Sequence, residues 1–241
     1  LISKKFKRKT CIVRKYYKNH QDEFSLIKKS VKNFFTGRSR IVAIEKARNK
    51  NNEIIILDDG FQDYSIKKRL NIICFNSDQL DGNGFTIPSG PLRESLNSLK
   101  RCHLVLINGE KRPKFEKKIK KINKNIQFFY SYYEIKKISS FKKKNFFAFA
   151  GIGNPQNFFK LLKKKRLNIK KTLAFPDHYN YTEQDLVKLR NESKKNNLTL
   201  LTTQKDFFRN KHLKNMKIDY VEIILKIKKE NDFLKLVKRH I

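Results

Sequence analysis

A chain of 241 residues can form one large domain or two small ones, and its hydrophobic fraction of 39% can support a packed core. Three scattered cysteines with no Cys-x-x-Cys pair argue against a disulfide framework or a zinc site, and no run approaches the roughly 18 apolar residues of a membrane span. The balance of 57 basic against 22 acidic residues gives a net charge of +35, which favours polyanionic partners, either nucleic acid or an anionic membrane surface.

The positive charge also has an explanation that involves no partner. Lysine greatly outnumbers arginine, and asparagine, isoleucine and phenylalanine are abundant. AT-rich codons encode all of these residues, so the base composition of a genome could produce much of the charge without selection for binding. A basic nucleic-acid-binding protein stays open as an alternative, although the lysines are spread along the chain and no nucleic-acid-binding module is recognisable.

The first half of the chain is predicted to alternate strands with helices. Strands are predicted at residues 10–13, 34–35, 53–56, 70–75 and 104–108. Helices are predicted at residues 22–31, 41–50, 92–99 and 116–123. Such alternation favours a parallel sheet with crossover helices.

The second half is predicted to hold another α/β unit. Residues 128–138 alternate as an exposed strand, residues 136–145 are polar and basic like a linker, and a new strand begins at Phe146. An alternating segment at 219–227 could pair with the strand near residue 130. The predicted domains are a core at 1–127, a linker strand at 128–145, a second α/β domain at 146–218, and a return linker strand with a closing helix at 219–241.

Two carboxylates, Asp58 and Asp59, directly follow an apolar strand and precede a glycine. Open α/β sheets place ligand chemistry at the carboxyl ends of their strands, and the same position holds Mg²⁺ in nucleotide-hydrolysing P-loop proteins. A polar turn after a strand is the plain alternative. Asp22 and Glu23 likewise fit the first turn of a helix, where the helix dipole favours acidic residues.

Six motifs follow one another along the chain in a fixed order. They are DDGFQ at 58–62, GNG at 82–84, PSGPLRE at 88–94, FAGIG at 149–153, FPDH at 175–178 and TTQKD at 202–206. Together they resemble the tetraacyldisaccharide 4′-kinase family, the lipid A kinases of Gram-negative bacteria. The resemblance covers the chain from about Arg14 to Lys205, and the combination of DDGFQ with PSGPLRE is highly specific.

The resemblance implies an activity, a fold and a location. Family members transfer the γ-phosphate of ATP, with Mg²⁺, to the 4′-hydroxyl of a lipid A disaccharide precursor, a tetraacyldisaccharide 1-phosphate. The implied fold is α/β, a P-loop-kinase-like parallel sheet with crossover helices plus a smaller α/β domain joined by a two-stranded linker. The implied location is peripheral, on the cytoplasmic face of the bacterial inner membrane. The anionic membrane surface is then a partner, and no nucleic-acid partner is expected.

The resemblance also assigns roles to residues of the reaction centre. Asp22 matches the catalytic aspartate that accepts the proton of the sugar hydroxyl, with Glu23 as its neighbour in the substrate site. His178 matches the histidine expected to pair with that aspartate. Asp58 matches the acidic residue that holds Mg²⁺, and Asp59 would support the metal or the acceptor site.

Further matches concern the binding of substrate and phosphate. Arg40 and Arg93 match arginines that would face phosphate or the anionic group of the substrate. Asn83 and Gly84 would shape the loop between these motifs.

The sequence departs from the family pattern at several places. The family's Gly-rich P-loop, with its lysine and threonine, is absent, and we expect it about ten residues before Leu1. The β- and γ-phosphates would then lack their cradle, so we expect the chain as printed to be impaired, and a decayed, non-catalytic relative is an alternative. Asp63 replaces a histidine, Gln204 a glutamate and Tyr179 a second histidine.

Overall fold

The computed structural model describes residues 1–18, 24, 27, 28 and 30–241. The described strands are β1 Thr10–Lys15, β2 Phe34–Gly37, β3 Ile54–Leu57, β4 Ile72–Asn76, β5 Leu104–Asn108, β6 Gln127–Ile135, β7 Asn145–Ala150, β8 Asn168–Ala174, β9 Thr199–Thr203, β10 Ile218–Val221 and β11 Ile223–Ile227. The described helices are α1 Ile2–Phe6, α2 Arg40–Arg48, α3 Pro113–Ile122, α4 Pro155–Lys164, α5 Glu183–Lys195, α6 Gln204–Arg209, α7 Lys211–Lys214 and α8 Glu230–Lys238. Two 3₁₀ turns span Leu96–Arg101 and Ile138–Phe141.

The chain divides into two compact units. Among the described residues, the first comprises residues 1–18, 27–132 and 225–241, and the second comprises Phe24 and residues 133–224. The chain therefore enters the second unit within β6 and leaves it within β11. These two strands are neighbours in one sheet, as the sequence predicts for the segment near residue 130 and the later part of the segment 219–227. The earlier part of that segment instead lies in β10, which pairs with β9.

The strands of the first unit form two sheets, ordered β2-β1-β3 and β11-β6-β5-β4. In the first sheet β1 is central and parallel to both neighbours, so Val13 lies opposite Phe35 on one side and Leu57 on the other. Ala43 and Ala47 of α2 pack against Cys11 and Val13 of β1. Their small side chains let the helix lie close to the strand. The pairing of β1 with β3 sets the carboxyl ends of these two strands side by side.

The second sheet of this unit is centred on β5, whose residues Leu104–Ile107 are all buried. Val105 and Ile107 share a core cluster with α3, whereas Leu104 and Leu106 share another with α8. Alternate side chains of a strand point to opposite faces, so helices cover both faces of the sheet. A continuous apolar run is typical of such a parallel strand.

The second unit has one parallel sheet, ordered β10-β9-β7-β8. Its central strand β7 buries Phe146, Phe147, Ala148, Phe149 and Ala150. The chain moves from β7 outward to β8, then crosses back to β9 on the other side of β7. This reversal creates a switch point between β7 and β9, where open α/β sheets bind ligands beyond the carboxyl ends of their strands.

Two local predictions were wrong. Residues 92–95 are not helical, because Leu92 uses its backbone N–H to bond Phe85 O (3.2 Å) and its carbonyl to accept from Ile87 N (2.8 Å). The segment near 128–138 is not an exposed strand, because β6 lies between β5 and β11 and buries Tyr130 and Ile135.

Candidate active site

The site in the first unit begins where β1 and β3 end. The backbone N–H of Asp58 donates to Val13 O (2.9 Å), which continues the ladder one residue beyond β3. The Asp58 carboxylate then lies 3.3 Å from the guanidinium of Arg14, a half-buried side chain at the end of β1. The carboxylate of Asp58 and the guanidinium of Arg14 thus lie together at the carboxyl ends of two parallel strands.

Asp59 turns the chain sharply away from the sheet. Its φ of +53° is left-handed, a conformation that aspartate tolerates better than most residues other than glycine. Gly60 is required next, because a Cβ at this position would lie 2.5 Å from the Cβ of Leu57. The Asp-Asp-Gly sequence is therefore a tight turn as well as a pair of carboxylates.

Two arginines hold Asp59 in this turn. Arg93 Nη1 lies 2.7 Å from Asp59 Oδ1, and Arg40 Nη2 donates to the backbone carbonyl of Asp59. Arg40 is 8% exposed, whereas the Arg93 side chain is 60% exposed. Arg40 therefore supports the turn from its buried side, and the exposed Arg93 is accessible to a ligand.

Asp63 completes the arrangement around Arg40. Arg40 Nη1 lies 3.2 Å from Asp63 Oδ2. A hydrogen bond from the Ser65 hydroxyl, assisted by Arg40, holds the pKa of the Asp63 carboxyl below its ordinary value. The aspartate that departs from the family pattern is thus the ionic partner of a predicted substrate residue.

These residues border a pocket of about 330 Å³. The lining residues are Tyr17, Arg40, Asp59, Gln62, Asp63, Tyr64 and Arg93. The sequence motifs identified three of the charged members, and Tyr17, Gln62 and Tyr64 were not predicted as site residues. Carboxylates and guanidiniums share one wall of this pocket. It therefore suits a polar ligand that carries phosphate, because a phosphate group can replace a carboxylate as the partner of a guanidinium.

Asn83 and Gly84 organise a loop and do not line this pocket. Asn83 Nδ2 donates to Ser89 O (2.8 Å), and Asn83 Oδ1 accepts from Phe85 N (3.1 Å). Gly84 has a φ of +81°. The loop leads through Leu92 directly to Arg93, so it sets the position from which Arg93 reaches the pocket.

The predicted residues Asp22 and Glu23 lie outside the described residues. Their assigned roles stay predictions from the motif match.

His178 belongs to the second unit, in the loop after β8. Its φ of +58° is left-handed, and its backbone N–H donates to Asp177 Oδ1 (2.9 Å). His178 Nε2 lies 3.4 Å from Lys205 Nζ. Lys205 was not predicted as a site residue, although the TTQKD motif contains it.

A buried ion pair supports the loop that carries His178. Asp206 is fully buried, and burial raises the pKa of its carboxyl. It accepts hydrogen bonds from Gly151 N (3.1 Å) and Thr203 Oγ1 (2.8 Å) and pairs with Arg209. Arg209 Nη2 donates to Gly151 O (2.9 Å) and to the carbonyl of Tyr179 (3.2 Å), the residue after His178.

The donor set at Asp58 and Asp59 fits Mg²⁺. Magnesium prefers oxygen ligands and is usually held by one or two carboxylates, with water and substrate phosphates completing its shell. The described part of the chain contains no group of three or more His, Cys, Asp or Glu residues able to hold a metal. A carboxylate pair of this kind suits a metal that arrives with a phosphate ligand.

No helix in the described part of the chain is both long enough and apolar enough to cross a bilayer.

Comparison with protein families and relatives gives one consistent result. A family model described as tetraacyldisaccharide-1-P 4′-kinase matches residues 4–241. A tetraacyldisaccharide 4′-kinase of Pelagibacter ubique (strain HTCC1062) is 38% identical over 234 residues, which cover 95% of this chain and 74% of the relative. The enzyme of the same name from Rickettsia akari (strain Hartford) is 40% identical over 172 residues, covering 68% of this chain and 50% of the relative. The aligned part thus spans about half the length of the Rickettsia protein.

The fold matches a solved structure over nearly the whole chain. The crystal structure of LpxK from Aquifex aeolicus in complex with ATP superposes with a TM-score of 0.70 at 21% sequence identity, covering 97% of this chain and 79% of that one. The α/β architecture with parallel sheets is therefore shared. Nothing in these comparisons supports impaired activity or a nucleic-acid-binding protein.

Proposed function

Because the chain belongs to the tetraacyldisaccharide-1-P 4′-kinase family, whose members are ATP-dependent phosphotransferases of lipid A biosynthesis, we propose that it phosphorylates the 4′-hydroxyl of a tetraacyldisaccharide 1-phosphate. The observation that carries this proposal is Asp59, held between Arg40 and Arg93 beside Asp58 at the carboxyl ends of two parallel strands. Phosphoryl transfer needs carboxylates and guanidiniums held in fixed positions, because its catalysis consists mainly of positioning and charge stabilisation.

Asp58 and Asp59 are the residues that would hold Mg²⁺. When bound there, the metal neutralises charge on the phosphates of ATP. Arg93 is the residue best placed to bind a phosphate oxygen, since its guanidinium is exposed and its partner Asp59 is an exposed carboxylate. Arg40 is a positioning residue, because its buried guanidinium fixes the backbone of Asp59.

The proposed chemistry is an in-line displacement at the γ-phosphorus. The 4′-oxygen forms a bond to phosphorus, the bond to the β–γ bridging oxygen breaks, and ADP leaves with that electron pair. Asp22 accepts the hydroxyl proton as general base, a role that rests on its motif match. His178 would orient this carboxylate, and Lys205 holds the imidazole from its Nε2 side.

We also propose a peripheral location on the cytoplasmic face of the inner membrane. The net charge of +35 suits an anionic membrane surface. The acylated substrate would be presented to the protein there.

The function is tested by following transfer of labelled phosphate from ATP to the disaccharide, in the protein that carries this sequence. Asp58→Asn and His178→Ala are expected to lower kcat by about 10²–10⁴-fold. Matched controls are Asp78→Asn and His212→Ala, which alter exposed residues of the same types away from the motifs. Unchanged transfer in either site variant would remove the role assigned to that residue, and no transfer by the unaltered protein would remove the proposed function.

A further inference from the structure

The loop between Gly82 and Gly90 holds two large apolar side chains in solvent. Phe85 is 63% exposed and Ile87 is 64% exposed. They flank Thr86, which forms an isolated bridge to Leu92. Single exposed apolar residues are common on protein surfaces, but two large ones in one short loop need an explanation from their surroundings.

Internal hydrogen bonds give this loop a defined shape. Gly90 N donates to Thr86 O (3.0 Å), and Asn83 Nδ2 donates to Ser89 O (2.8 Å). Gly90 cannot be replaced without movement, since a Cβ there would lie 2.3 Å from the carbonyl oxygen of Phe85. Phe85 and Ile87 are thus exposed by a bonded loop and not by a chance side-chain conformation.

The loop is also continuous with the pocket. Phe85 and Ile87 both form backbone hydrogen bonds with Leu92, and the next residue, Arg93, lines the pocket. Tyr64 lies on the pocket wall with 71% of its surface exposed. The polar pocket therefore has a large exposed aromatic residue in its wall and is connected to a loop with two exposed apolar side chains.

We propose that Phe85 and Ile87 bind the acyl chains of the disaccharide substrate while Arg93 faces its phosphorylated headgroup. The proposal rests on the proposed function, which supplies a ligand with an anionic sugar head and several acyl chains. An amphiphile of that kind matches a charged pocket and an adjacent apolar loop. Burial of the two side chains against hydrocarbon removes apolar surface from water, and this stabilises the complex.

The test compares the unaltered protein with the double variant Phe85→Ser/Ile87→Ser. Equilibrium binding to the tetraacyldisaccharide 1-phosphate in neutral detergent micelles, without ATP, is expected to weaken at least about tenfold. Binding of the deacylated, water-soluble disaccharide 1-phosphate is expected to stay unchanged. Val187→Ser, which alters an exposed apolar residue of α5 (55% exposed), is the matched control and should bind both ligands normally.

Two outcomes would overturn the proposal. Equal binding of the acylated ligand by the double variant and the unaltered protein would show that the loop does not contact the chains. Weaker binding of the double variant to phosphatidylglycerol vesicles that lack the disaccharide, with unchanged binding of the disaccharide in micelles, would assign the loop to the bilayer instead. Because these measurements need no phosphate transfer, they are decided separately from the kinase activity.

Discussion

The carboxylate of Asp206 accepts a hydrogen bond from the backbone N–H of Gly151, 3.1 Å away. The bond joins the turn after β7 to the first turn of α6, at the switch point of the second sheet. Arg209 extends this connection to the carbonyl of Tyr179. The loop that carries His178 is therefore held by an ion pair that is itself removed from solvent.

Asp206→Ala is expected to destabilise the protein by about 3–5 kcal/mol, because the substitution removes one member of a buried ion pair and the acceptor of the hydrogen bonds from Gly151 and Thr203. Urea denaturation monitored by circular dichroism measures the change. Asp232→Ala, which removes a carboxylate from an exposed ion pair with Lys235, should change stability by less than about 1 kcal/mol. Equal small effects in both variants would contradict the structural role of Asp206.

The contact between Lys205 and His178 predicts a specific tautomer. A lysine ammonium can only donate hydrogen bonds, so a hydrogen bond across the 3.4 Å between Lys205 Nζ and His178 Nε2 requires Nε2 to accept and the proton of the neutral ring to lie on Nδ1. Nitrogen-15 chemical shifts of the labelled imidazole should report this tautomer at alkaline pH. In Lys205→Ala the Nε2–H tautomer should become populated, and an unaltered spectrum would show that Lys205 does not fix the ring.

Asp63 should make the stability of the protein depend on pH. Its carboxyl has a pKa below the ordinary value of 3.8 in the folded state, so ionised Asp63 stabilises the fold above pH 3.8 and this stabilisation is lost as the pH falls through the folded-state pKa. Asp63→Asn is expected to cost about 1 kcal/mol near pH 7 and progressively less below pH 3.8.

Urea unfolding of the Asp63 variant at a series of pH values measures this dependence. Asp78→Asn is the control, since Asp78 is an exposed carboxylate paired with Arg112. A cost that stays constant down to the lowest pH would mean that the charge of Asp63 is not what stabilises Arg40.

Asp58 should contribute to metal binding independently of turnover. Asp58→Asn replaces an anionic ligand by a neutral one, and the affinity for Mn²⁺ in the presence of ADP is expected to fall at least about tenfold. Electron paramagnetic resonance of free Mn²⁺ measures this without any reaction. Asp78→Asn should bind Mn²⁺ normally, and normal binding by Asp58→Asn would exclude this carboxylate as a ligand.

Local patterns predicted much of the fold and part of the site. The apolar run at 54–57 must end where Asp58 and Asp59 begin, so their place at the end of β3 follows from adjacent residues alone. The burial of β5 likewise follows from its unbroken apolar run. Thr182-x-x-Asp185 has the spacing of a capping box, and the two residues form a reciprocal one at the start of α5.

Contacts between distant residues could not be predicted in this way. Asp206 and Gly151 are 55 positions apart, and no local pattern links them. The pairing of Arg40 with Asp63 is invisible for the same reason. Residues 92–95 have helical spacing, but the bonds of Leu92 to the preceding loop use the backbone groups that a helix would need.

The packing of α8 has a consequence for biosynthesis. Phe233, Leu234 and Val237 cover Leu104 and Leu106 of the first unit, yet they follow the whole of the second unit in the chain. A ribosome working from the amino end must complete residues 133–224 before it makes this helix. The second unit can therefore fold first. Until α8 is synthesised, one face of the sheet that contains β5 stays uncovered in the first unit.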